Sequence, residues 1–229
     1  VAIAYEQLQI GEEEIRQNGE LENGLVSIGA SENALRLVLL SRLEKFHEQY
    51  PHVRLRISNH STPQAIQALR SDIVDFAAVT TPLDIKSPLE KIPLASYREI
   101  LIGGRKYKKL AEHTQKLEDI ASLPFISLDE NSSTRELYNS FFLEHGLSFA
   151  PDMETATTDQ MLPLITHNLG IGFYPKKMAE LALTKGDVYQ IPLEEKLPLR
   201  RIYLVTNGST AKSTAVRKMI KFIQEYHKI

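Results

Sequence analysis

The residues best placed for chemistry are short polar side chains in four runs: Ala30-Ser31-Glu32-Asn33, His60-Ser61-Thr62-Pro63, Asn131-Ser132-Ser133-Thr134 and Thr157-Thr158-Asp159. Each run separates an apolar stretch that reads as a strand from an amphipathic stretch that reads as a helix. Serine and threonine at such a junction accept a backbone N–H and cap the helix, and Pro63 suits a first helical position. Capping alone accounts for residues of this type. A second chemistry opens if the four turns look into one cleft. Helix N-termini carry unpaired N–H groups and the positive end of the helix dipole, so together they favour an anionic group such as a carboxylate or sulfate.

Catalytic and metal constellations are poor. The seven histidines are His47, His52, His60, His113, His145, His167 and His227. None has H-x-x-x-H or similar metal-ligand spacing with a nearby carboxylate. His60 stands beside one polar turn, either within reach of a guest or simply solvated. No G-x-S-x-G elbow, P-loop or G-x-G-x-x-G occurs. Gly170-Ile171-Gly172-Phe173-Tyr174-Pro175 ends a helix and enters a strand, the reverse of a phosphate-binding turn. It reads as a helix C-cap with close strand–helix packing. The basic run Arg105, Lys106, Lys108 and Lys109 reads as a solvated loop. Glu32, Asp159 and His60 are the acid–base candidates near the turns, and the two carboxylates suit helix N-termini electrostatically. No catalytic residue, metal ligand or cofactor is expected.

The elements that must hold these turns alternate between strand and helix. Leu25–Gly29 reads as a strand and Leu35–Tyr50 as a helix stopped by Pro51. Val53–Ser58 reads as a strand with Arg54 and Arg56 on its wet face, Pro63–Arg70 as a short helix, and Phe76–Val79 as a buried strand. Such alternation predicts an α/β fold with a mostly parallel sheet. Ligands of open sheets of this kind bind beyond the carboxyl ends of the strands. The chain also echoes itself. The segment from Ser61 to Asp72 resembles that from Thr157 to Asn168, with Thr62 meeting Thr158, Gln64 meeting Gln160, and Ile66, Leu69 and Asp72 meeting Leu162, Ile165 and Asn168. Val26–Phe46 and Phe125–Glu144 correspond in the same way, so two similar lobes are expected, each running strand–turn–helix–strand–turn–helix–strand. The apolar strands Glu99–Gly103 and Arg201–Val205 follow the two copies and are expected to carry the chain between lobes as a two-stranded hinge. Ala215–Tyr226 reads as a helix returning to the first lobe. Upstream, Val1, Tyr5, Leu8, Glu12 and Ile15 lie at 4-3-4-3 spacing. That is the stripe of a helix-pairing segment or an ordinary amphipathic helix, broken by Gly19, Asn23 and Gly24.

A chain of 229 residues, 42% hydrophobic, can build two modest cores or one large one. Its 27 basic and 29 acidic residues give a net charge of −2. A segment that gripped DNA by itself needs a basic surface, so these residues are not expected to be a DNA clamp. The absence of cysteine excludes disulfides and thiolate metal sites and is compatible with a reducing cytoplasm. No apolar run approaches the roughly 18 residues of a membrane span, and the first residues lack the basic start of a secretion signal.

Four stretches together resemble a known family. Gly24-Leu25-Val26-Ser27-Ile28-Gly29, the run Phe46 to Leu55, Val74-Asp75-Phe76-Ala77-Ala78-Val79 and Gly170–Pro175 are similar, in order and spacing, to the effector-binding domain of LysR-type transcriptional regulators. The resemblance spans residues 24–229, and residues 1–23 resemble the end of the linker helix that joins such domains to a winged helix-turn-helix. It implies a two-lobed type 2 periplasmic-binding-protein-like fold of two Rossmann-like subdomains, with lobe one at 24–97 and 199–229 and lobe two at 98–198. It also implies a small-molecule effector, anionic in character, held in the interlobe cleft. Its contacts would be Ser31 and Asn33 in the first turn, Ser61 and Thr62 in the second, Thr80 after the next strand, and Asn131, Ser132 and Thr158 from the opposite lobe. Asn33 departs from the serine or threonine of many relatives. Since asparagine both donates and accepts, effector identity stays open. The family further implies a cytoplasmic homodimer pairing helix Leu35–Tyr50 against strand Val53–Ser58, a tetramer in the full-length protein, DNA contact only through an N-terminal domain absent from this chain, and no membrane partner. Two rivals share the architecture. A transporter's solute-binding protein predicts an export signal and a monomer, and a two-lobed enzyme needs a positioned acid or base in the cleft.

Overall fold

The computed structural model describes residues 24–226, and the stripe expected as a linker helix lies outside the described residues. The first lobe begins with β1 (Leu25–Ala30), helix α1, β2 (Arg54–Asn59), α2 (Thr62–Arg70), β3 (Phe76–Thr80) and β4 (Leu89–Tyr97). Helix α1 is continuous, with π-helical Leu35–Leu39 between α-helical Glu32–Ala34 and Leu40–Gln49. After Arg98 the second lobe runs β5 (Glu99–Gly104), a 3₁₀ stretch at Arg105–Glu112, α3 (Leu117–Ile120), β6 (Ile126–Leu128), α4 (Ser133–Glu144), β7 (Met153–Thr155), α5 (Thr158–Thr166), β8 (Ile171–Pro175), α6 (Lys176–Lys185) and β9 (Val188–Ile191). The chain then returns through β10 (Arg200–Asn207) and α7 (Thr214–Glu225) to the first lobe.

The first sheet has the order β2-β1-β3-β10-β4, with β1 parallel to β2 and β3, and β10 antiparallel to both of its neighbours. In the second lobe β6 pairs with β7 in parallel, and β5 lies antiparallel between β8 and β9. A parallel bridge from Phe125 to Ile171 joins the two pieces. The second lobe therefore reads β7-β6-β8-β5-β9, strand for strand the plan of the first.

The duplication extends to single side chains. Asp72 and Asn168, matched in the echo, both adopt a left-handed backbone after α2 and α5, at φ 53° and 63°. Asp and Asn tolerate that conformation better than other side chains. Gln64 and Gln160, also matched, each reach back across a helix start: Ser61 N–H donates to Gln64 Oε1 at 2.9 Å and Ala156 N–H to Gln160 Oε1 at 3.1 Å.

Apolar alternation builds the cores. Leu39 and Phe46 of α1 and Val216, Met219 and Ile223 of α7 pack against Val26, Ile28, Phe76 and Ile202 on one face of the first sheet. Ala65, Ile66 and Leu69 of α2 cover Ala77, Val79 and Val205 on the other. In the second lobe Tyr138, Phe141 and Phe142 of α4 join Phe125, Phe149 and Phe173, while Met161, Ile165 and Ala179 close over Ile102, Ile126 and Tyr174. Among the described residues no helix is long and apolar enough to cross a membrane.

Several details differ from expectation. Helix α1 starts at Glu32 rather than Leu35, because Ser31 accepts the Ala34 N–H at 3.3 Å and caps it there. The helix terminus expected at Gly170 is made by Asn168. Gly170 is needed for a different reason: a Cβ there would stand 2.6 Å from the Pro124 carbonyl oxygen, at the junction of β8 with the strand beside it. The chain passes between lobes at Arg98 and again between Ile191 and Arg200. The two expected hinge strands, β5 and β10, begin directly after these passages. They lie in different sheets, and β10 pairs instead with β4, which sequence reading missed.

Candidate functional site

The amino ends of α1, α2, α4 and α5 converge, two from each lobe, on a narrow cavity of about 40 Å³. Seven of the expected residues line it: Ser31, Asn33, Ser61, Thr62 and Thr80 from the first lobe, and Ser132 and Thr158 from the second. Asn131 is the exception. It is exposed in the turn before α4, where its backbone N–H donates to Asp129 Oδ1 at 3.0 Å, and it is not among the lining residues.

Most of these hydroxyls are committed to holding the turns. Ser31 caps α1. Ser132 accepts the Arg135 N–H at 3.1 Å and donates to the Asp129 carbonyl at 2.8 Å. Thr62 donates to the Thr80 carbonyl at 3.1 Å, tying the start of α2 to the end of β3. Their positions are thereby fixed, and beyond the N–H groups that these caps satisfy, the helix starts keep first-turn backbone N–H groups with no partner within their own helix. Asn33 is 4% exposed; its Nδ2 donates to the Tyr97 hydroxyl at 3.2 Å and its Oδ1 has no partner. His60 also lines the cavity, its Nε2 2.9 Å from Ser58 Oγ.

Among the described residues no lysine or arginine lines the cavity, and Glu32 is its one carboxylate. Burial, and then the Asp159 charge, raise the Glu32 carboxyl above its usual value; Arg36 at 3.8 Å and the Asn59 amide at 3.1 Å oppose the rise. A carboxyl with a raised folded-state pKa holds its proton more tightly when folded, so its ionisation erodes stability as pH climbs past its free value. Glu32→Gln is therefore expected to raise the melting temperature at pH 7 and to leave it unchanged below about pH 4, where the parent carboxyl is already protonated. An equal shift at both pH values would contradict this.

Beneath the floor lies a buried ionic network that joins the lobes. Arg200, 0% exposed, opens β10; Glu99 opens β5. Arg200 Nη1 donates to both Glu99 oxygens at 3.0 and 3.1 Å, and Nη2 donates to Thr80 Oγ1 at 3.2 Å and Thr134 Oγ1 at 3.0 Å. The Tyr138 hydroxyl donates to Glu99 Oε2 at 3.0 Å, and the guanidinium lies 5.7 Å from the Tyr97 ring centre. Burial works most strongly against the Arg200 charge, but Glu99 together with Tyr97 and Tyr138 outweighs it and raises its pKa. Burial pushes the Tyr97 hydroxyl up to about 12 and the Tyr138 hydroxyl upward as well, so both stay neutral at physiological pH. Sequence reading placed Thr134 in one of the polar turns but missed Arg200, Glu99, Tyr97 and Tyr138. No signal separates Arg200 from its exposed neighbour Arg201; only the fold brings it to Glu99.

The family model described as LysR substrate binding domain matches residues 19–228. The uncharacterized HTH-type transcriptional regulator YeiE of Escherichia coli strain K12 is 22% identical over 209 residues, covering 91% of this chain and 71% of that protein. The chain spans 59–64% of the length of three relatives named as probable RuBisCO transcriptional regulators. Among solved structures, the effector binding domain of QuiR in complex with shikimate has a TM-score of 0.77 at 19% identity, over 89% of this chain and 97% of that one. The CcmR regulatory domain of Synechocystis PCC6803 in complex with 2-PG has a TM-score of 0.77 at 15% identity, over 88% and 96%.

Proposed function

The chain belongs to the LysR substrate-binding domain family, and from that membership we propose that it senses a small anionic effector in the interlobe cleft for a transcriptional regulator and performs no chemistry. One observation carries the anionic part: four helix N-termini from two lobes meet at a single cavity free of cationic side chains. Backbone N–H groups and helix dipoles are the donors such a cavity offers. The shikimate held by QuiR, a carboxylate, supports the same chemistry. We assign the contacts to Ser31, Asn33, Ser61, Thr62, Thr80, Ser132 and Thr158 and leave out Asn131.

We infer that a cavity this small takes at most a group the size of a carboxylate or sulfate, and that a larger effector requires the lobes to part. Among the described residues the chain crosses at Arg98 and between Ile191 and Arg200. These passages support dividing the lobes at 24–97 with 199–229 and at 98–198, and they are where such opening would bend. An effector that binds one lobe spacing better shifts the population toward it. That bias would pass to DNA-binding residues outside this chain, in a cytoplasmic homodimer that forms tetramers at full length. Exposed Leu40 on α1 and Ile57 on the free-edged strand β2 support pairing along those elements. The named relatives are transcriptional regulators, which tells against a transporter's solute-binding protein. Titration calorimetry with sulfate, phosphate and a panel of small carboxylates is expected to reveal saturable binding near one per chain. Sedimentation is expected to give about twice the 25.9 kDa chain mass. Silence from every anion would defeat the effector reading, and a monomer mass the pairing.

A further inference from the structure

The buried ion pair is oriented. Nη1 of Arg200 faces Glu99, and Nη2 faces Thr80 and Thr134, two threonines that line the cavity. The pair is neutral as a whole, yet its positive end points at the cavity floor. A hydroxyl that accepts from a cation keeps its own proton to give, and polarisation along the chain makes it a stronger donor. Stability does not explain the arrangement by itself, since well-packed apolar replacements of buried ion pairs are often neutral or stabilising.

We propose that Arg200 is the positioning residue that makes this cavity anion-selective, acting through the hydroxyls of Thr80 and Thr134. The proposal rests on the anionic-effector reading above and names the group that enforces it. Thr80 ends β3 in the first lobe and Thr134 lies in the first turn of α4 in the second. One guanidinium nitrogen thus holds a donor on each side of the cleft, and both converge on a guest only when the lobes are as near as they are here. An anion gains from both donors; a neutral guest of the same shape gains far less.

The test uses the full chain and inorganic sulfate as probe, followed by titration calorimetry. Thr134→Val keeps the side-chain shape and leaves Arg200 bonded to Glu99, but deletes one relayed donor. Sulfate affinity is expected to fall about tenfold, the value of one hydrogen bond to a charged group, and Thr134→Ser is expected to restore it. The double variant Glu99→Gln with Arg200→Gln keeps polar partners and removes the charge separation, with at least the same loss. A merely structural network would shift melting temperatures while sulfate affinity stayed put. Parent-like sulfate binding by Thr134→Val overturns the proposal and leaves the proposed function intact. Failure of the parent to bind sulfate or any other anion overturns both. If the double variant does not fold, the valine and serine variants decide alone.

Discussion

Arg200→Met is expected to cost about 3–5 kcal/mol of unfolding free energy, because it strands a charged carboxylate in the interior. The Glu99 side chain is 2% exposed and would keep only the Tyr138 hydroxyl as a partner. The loss is not the strength of the ion pair. It is the cost of a desolvated charge without its counterion. Replacing both partners, Glu99→Met with Arg200→Met, removes the stranded charge and is expected to recover most of the loss. Urea unfolding of the parent, the single variant and the double variant measures all three. A single-variant cost under about 1 kcal/mol would show that the pair does not carry the burial penalty assigned to it.

Phe125→Ala is expected to be about as damaging, at roughly 3–5 kcal/mol. The ring is 2% exposed, with centroids 5.6 Å from Phe142, 5.4 Å from Phe149 and 6.0 Å from Phe173. Phe125 also makes the bridge to Ile171 that joins the β6–β7 pair to the rest of the second sheet. Truncation opens a cavity among rigid rings that cannot collapse into it, at the seam where the β6–β7 pair meets the rest of the sheet. Phe125→Leu fills most of the space and is expected to cost much less. Near-equal stability of the two variants, again by urea unfolding, would contradict this picture of the aromatic core.

The two lobes were legible because duplication wrote the same signal twice. Thr62 with Thr158 and Gln64 with Gln160 stood out as matched spacings, and each pair occupies the same place at the start of α2 or α5. Strand β4 was not legible. Pro93 interrupts it, and proline within a strand pattern demotes the reading except at an edge, which is where β4 lies. The cleft-lining serines and threonines were readable because helix capping is local chemistry, written within three or four residues. That same locality explains what they mostly do: Ser31, Ser132 and Thr62 spend their hydroxyls on the turns. The network below was beyond reach, since Glu99 and Arg200 meet only after the chain has made the whole second lobe. A charged residue at the head of an apolar strand looks the same whether it ends in water, as Arg201 does, or at the centre of the molecule.

The cleft's role as an anion receptor is tested most directly by a crystal structure of this domain grown with sulfate. A sulfate is expected between the lobes, within hydrogen-bond distance of first-turn N–H groups from at least one helix of each lobe, near Thr62 and Thr158. An empty cleft, or sulfate held only on the outer surface, would contradict it.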